Sequence, residues 1–112
     1  MNTLYKIAVT AAIAAISLPA IAAPSVYEYC EGVQAIAAAS MELRQSGTDY
    51  AEAEQSARIV QALDIWPDLV IPIMADAYRV PAYYSAAYRE TAVIEFGEKY
   101  RQACVVTLIT GK

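Results

Sequence analysis

Apolar residues recur three and four positions apart along most of the chain, the spacing of one helical face. The first such stretch places Cys30, Val33, Ile36, Ala37 and Leu43 on one stripe, with small Ser40 among them. Ser25 stands just before it and Glu28 three residues on, a capping box in which the serine hydroxyl takes the Glu28 N–H and the carboxylate reaches back. Gly47 supplies a left-handed C-cap residue at the other end. A helix is therefore expected over 25–47, with Cys30 on its inward face. Asp49 and Glu52 gather acids where the dipole of a second helix favours them. Beyond them, Ile59, Leu63, Trp66, Val70, Ile73 and Ala77 continue at spacings of four and three.

Taken alone, that run is one long helix. Pro67 opposes this, since it biases Trp66 away from the helical region and removes a backbone donor. Asp64 offers a new cap with Pro67 near its first turn, whereas Pro72 implies a kink or a later start. This third segment ends at Val80-Pro81. Ser85 caps the last helix, whose inner face carries Val93, Gly97, Tyr100 and Cys104. Gly97 there costs about 1 kcal/mol of helix propensity against alanine, but allows close backbone approach. The apolar tail 105–109 fits either a continuation of that helix or a segment laid along the core.

Composition changes the picture at the N-terminus. Lys6 precedes an unbroken apolar run over 7–16, and Ala20-Ile21-Ala22 places small residues where a signal peptidase reads them. Residues 1–22 are expected to be a cleaved signal peptide, leaving residues 23–112 as one helical domain in the periplasm or outside the cell. No second apolar run has the length of a membrane span. The remainder keeps seven basic residues against twelve acidic ones, a formal charge of −5, which disfavours nucleic acid and anionic membranes as partners. Its two cysteines, in an exported chain, are expected to pair as Cys30–Cys104. Closing so long a loop contributes about 4 kcal/mol in the chain-entropy model.

That bond decides the number of helices. The first and last each hold about 20 residues and so span about 30 Å. Cys30 lies at the start of one and Cys104 at the end of the other, and bridging needs their Cα atoms within about 7 Å. Three up-and-down helices would put the cysteines at opposite ends, whereas four bring them together. The expected fold is all-α: a four-helix up-and-down domain with one disulfide.

Chemistry is scarce in this sequence. It has no histidine, which removes imidazole zinc sites and histidine-activated nucleophiles. No phosphate-cradling glycine loop or G-x-S-x-G turn occurs. No metal, cofactor or catalytic residue is expected. Glu28/Glu31 and Glu95/Glu98 are i,i+3 carboxylate pairs, the raw material of glycoside hydrolysis, but Lys99 and Arg101 beside the second pair are typical of a solvated face.

Tyrosine is the unusual component, with four residues between 78 and 89. Tyrosine and arginine are favoured at interfaces, and Tyr83, Tyr84, Arg79 and Arg89 form the candidate partner surface. Tyr78 and Tyr88 lie near the inward stripes and are expected in the core.

Cys30, Met41-Glu42-x-Arg44-Gln45-x-Gly47, Ala75-x-Ala77-Tyr78-x-x-Pro81, Ile94-x-Phe96, Tyr100 and Cys104 together resemble a loose group of short exported bacterial and phage proteins without assigned activity. The resemblance implies fold and location, and brings no catalytic residues. A looser analogy in size, helicity and disulfide is to periplasmic acid-stress chaperones. The expectation is a non-enzymatic exported interaction protein (an inhibitor, an immunity-type factor or an envelope accessory) whose partner is another envelope protein. An acid-activated periplasmic chaperone and a cell-wall hydrolase are the alternatives.

Overall fold

The computed structural model describes residues 25–62 and 68–111. The expected signal peptide and the break around residues 64–67, with Leu63 and Trp66, lie outside the described residues. Four helices follow one another: α1 Val26–Gln45, α2 Tyr50–Ala62, α3 Val70–Ala77 and α4 Ala86–Thr110. Among the described residues there are no strands.

Local chemistry explains most boundaries. Ser25 caps α1 by accepting the Glu28 N–H at 3.2 Å, and Ser85 caps α4 by accepting the Tyr88 N–H at 3.0 Å. α1 ends in a Schellman turn: Thr48 N–H bonds the Leu43 carbonyl at 3.1 Å and Gly47 N–H bonds that of Arg44 at 3.2 Å. Gly47 sits at φ +82°, a left-handed position that glycine takes without strain. Pro72 is settled by a late start, because it occupies the third position of α3, where a helix has no internal use for its missing N–H. The tail 105–109 continues α4, which stops at left-handed Gly111.

The helices run up, down, up, down. Tyr50 at the start of α2 meets Tyr78 at the end of α3, ring centroids 5.2 Å apart, so these two are antiparallel. Cys30 near the start of α1 is bonded to Cys104 late in α4, with Cα atoms 5.6 Å apart, so the outer two are antiparallel as well. α1 and α4 form the principal pair, and α3 packs on α1 and α2. Gly97 lies tight against α1: a Cβ there would sit 3.3 Å from Gln34 Cγ, which would have to give by a few tenths of an ångström, and 3.5 Å from Ala38 Cβ.

Two apolar clusters result. Val33, Ala37 and Met41 of α1 pack with Ile73 and Ala77 of α3 and Phe96 of α4. Ala53 and Ala57 of α2 pack with Val70 and Met74 of α3. Ile36 touches both clusters and joins them. Ile59 departs from the expected stripe and is 64% exposed. Since α2 and α3 are separate helices, α2 turns its Ala53/Ala57 face inward, and Ile59, two residues on from Ala57, points away.

Candidate functional site

Lengths set where this fold stays open. α4 is about 37 Å long and α3 about 12 Å, so α3 covers only the middle of the seam between α1 and α4. At that midpoint Tyr100 donates its hydroxyl to Asp76 Oδ2 at 2.7 Å, and Lys99 Nζ approaches the same oxygen at 3.2 Å. The Tyr100 bond, with Lys99 and Arg79 nearby, holds the Asp76 carboxyl below the usual aspartate range. Burial and the Asp76 charge push the Tyr100 phenol far above its ordinary range. Lys99 also lies 5.4 Å from the ring centroids of both Phe96 and Tyr100.

Grooves remain on either side of this clamp. Toward the cysteines, one of about 260 Å³ is bounded by Tyr29, Val33, Leu69, Ile73 and Leu108. Toward the α3–α4 loop, a larger one of about 500 Å³ has Met41 and Phe96 on its floor. Its walls are Val80 and Tyr83 from the loop and Tyr88, Ala92 and Glu95 from α4.

The loop beside this larger groove is tied down through its backbone. Arg44 Nε donates to the Val80 carbonyl at 2.7 Å, and its guanidinium lies 5.4 Å from the centre of the Tyr78 ring. Gln45 is only 7% exposed, and its amide donates to the Pro81 carbonyl at 2.8 Å and accepts the Tyr83 N–H at 2.9 Å. Arg89 donates to the carbonyls of Tyr83 and Tyr84. Tyr78 donates its hydroxyl to the Thr48 carbonyl at 2.8 Å, joining the loop after α1 to the end of α3. Burial raises the pKa of that phenol.

The four predicted surface residues therefore play different parts. Tyr83 is 39% exposed and Tyr84 102%, so both rings reach solvent. Arg79 is exposed, whereas the half-buried Arg89 braces the loop from behind. Tyr78 is partly buried against the second cluster, as expected. Tyr88 is not a core residue: it is 68% exposed, in an edge-to-face pair with Tyr83 at 6.1 Å. It lies in the first turn of α4, which the loop flanks and no helix covers. The sequence does not mark Arg44 and Gln45 as loop ties, because only the fold brings them beside residues 80–83. The one hint was their polar character just before the helix-ending glycine.

The carboxylate pairs stay at the surface. Glu98 bonds Arg101, Gln102 and, at 3.5 Å, Gln34 of α1. Arg101 draws its pKa downward, opposite to the shift a general acid needs. Among the described residues no three acidic or cysteine side chains gather closely enough to hold a metal ion, and no helix is long and apolar enough to cross a membrane.

Compared with known protein families, curated proteins and solved structures, the chain matches none.

Proposed function

We propose that this chain is an exported, non-enzymatic protein that holds another protein of the cell envelope through the tyrosine-rich loop between α3 and α4. The main support is rigid presentation. Tyr83, Tyr84 and Tyr88 face solvent while Arg44, Gln45 and Arg89 fix the backbone that carries two of them. A loop ordered before contact loses little further entropy on binding, and tyrosine buries a large ring with few rotors. Export rests on residues 1–22 and on the disulfide, a bond that persists in oxidising compartments. An inhibitor, an immunity-type factor and an envelope accessory all fit this description.

Capture from an envelope extract with wild type and with a Tyr83→Ala/Tyr84→Ala double variant tests the proposal. Both rings are exposed, so the variant should fold normally yet lose the specific partner. Identical partner profiles, or no specific partner for wild type, would remove the reading.

An acid-activated chaperone is the second reading, and the Asp76 clamp favours it. Protonating Asp76 would weaken the polar tie between α3 and α4 while the disulfide limits unfolding. Dye binding and client-aggregation assays at about pH 2–3, below the usual carboxylate range, decide it. A protein that stays compact and inert there is no such chaperone. A hydrolase built on Glu95 and Glu98 has least support, given the downward shift at Glu98.

A further inference from the structure

Resting on that reading, we infer that the partner presents a basic, amphipathic segment: an apolar side chain enters the groove beside the α3–α4 loop, and flanking lysines or arginines meet the carboxylates around it. The balance of engaged and free charges at this end of the molecule carries the inference. Its basic groups are largely occupied. Arg44 is bonded to the Val80 carbonyl, Arg89 to the carbonyls of Tyr83 and Tyr84, and Lys99 to Asp76. Arg79 is exposed, and its charge acts on Asp76.

The acids are free. Glu42, Glu90 and Glu95 are all exposed, and among the described residues none has an ion-pair partner. Glu95 stands on the wall of the larger groove, which Lys99, paired with Asp76, also lines. Glu42 and Glu90 line a second depression, together with Arg89 and Val93. An incoming segment thus meets an apolar floor, two tyrosine rings at the mouth and the unneutralised Glu95 carboxylate on the wall, with Glu42 and Glu90 exposed at the same end of the α1–α4 pair. Tyrosine faces attract cations as carboxylates do, so the rings and the acids select the same sign of charge. An acidic segment would bring like charges together at contact distance, which rejects it more strongly than an exposed pair attracts. The chain's net charge of −4 favours approach of a basic partner over longer range.

The test uses the oxidised protein and a labelled, amidated four-turn peptide with leucines along one face and lysines beside them. Two controls replace its lysines by glutamate or its leucines by serine. The lysine peptide should bind, more weakly at high salt, and both controls should be at least about tenfold weaker. Glu95→Gln should weaken binding about two- to fivefold. The Glu42→Gln/Glu90→Gln/Glu95→Gln triple variant should lose about tenfold or more, while Glu54→Gln on α2 should change nothing. These groups are exposed or on a remote helix, so folding is not at stake, and an unchanged circular dichroism spectrum documents it.

Equal binding of the glutamate peptide, full affinity in the triple variant, or no binding by wild type overturns the inference. Failure here is separable from failure of the broader proposal. A neutral or acidic partner that is released by Tyr83→Ala/Tyr84→Ala leaves the surface standing and removes only its preference for basic segments.

Discussion

At one end of the α1–α4 pair a covalent bond joins buried Cys30 to half-buried Cys104. At the other end, Arg44, Gln45 and Arg89 reach across to the backbone of a loop and hold it by hydrogen bonds. Both devices keep the same two helices from splaying, but they leave different surfaces. The disulfide uses no polar side chain, and the groove beside it is bounded by aliphatic and aromatic carbon. The polar closure binds carbonyls and so frees the loop's own side chains to face solvent. Rings that would otherwise complete a core stand at the surface on a backbone that does not need them for its position. Stability is concentrated at one end and presentation at the other.

The largest way to break this contrast is to remove the bond. A Cys30→Ala/Cys104→Ala variant should lose about 4 kcal/mol of unfolding free energy, the chain-entropy value for so long a loop. Denaturant unfolding of oxidised wild type against the variant measures it. A loss below about 1 kcal/mol would mean that packing around Gly97, not the cross-link, holds the pair.

Gln45→Ala attacks the opposite end and should cost about 2 kcal/mol, since it strands the Pro81 carbonyl and the Tyr83 N–H in partly buried positions. Its second consequence sets the two ends apart. Amide exchange should accelerate at residues 81–84 but not around Cys30 and Cys104, whereas cysteine removal should do the reverse. Uniform acceleration in either variant would show that the ends are one cooperative unit.

The serine caps give a matched comparison at smaller scale. Ser25→Ala and Ser85→Ala each remove one hydroxyl-to-N–H bond from the start of a long helix, and each should cost about 1 kcal/mol. Only Ser85→Ala should also weaken binding of the lysine peptide, because the first turn of α4 carries Tyr88. If both variants weaken binding equally, the peptide does not occupy the loop end.

The helix ends and the disulfide are legible in the residue order. Ser25, Gly47 and Ser85 mark their helix ends through local chemistry that acts within four residues. Cys30 and Cys104 limited the topology because their distance has an upper bound. Pro72 was ambiguous for a physical reason: proline is tolerated in the first turn and forbidden later, so its meaning depends on a start that sequence places only loosely. The loop end is legible only in part. Tyr83 and Tyr84 stand out by residue type, but Tyr88 reads as inward only if the apolar stripe of α4 extends past the point where α1 and α3 can cover it. For Arg44 and Gln45 the local signal is no more than polar character just before Gly47. Their partners in the loop lie 36 to 38 residues away and are backbone atoms, whose side chains record nothing of the contact.

Between the two ends stands Asp76, the smallest and most condition-dependent of these ties. The Tyr100 hydroxyl lowers its pKa in the folded chain, so an unfolded chain takes up the proton first as pH falls. The stability it contributes is therefore complete above about pH 4, the unfolded value, and is lost as pH drops through the lower folded value. The Tyr100 phenol has the opposite sense. Its folded pKa is raised, so its contribution is complete below about pH 10 and is lost above it. Asp76→Asn should flatten the acid limb of a melting-temperature profile, with a change near neutral pH smaller than that of either serine cap. Tyr100→Phe should flatten the acid and alkaline limbs together. If Asp76→Asn leaves the acid limb as steep as before, acid sensitivity belongs to the dispersed surface carboxylates. The seam between the two grooves would then be held by Phe96, Ile73 and Met41 packing alone.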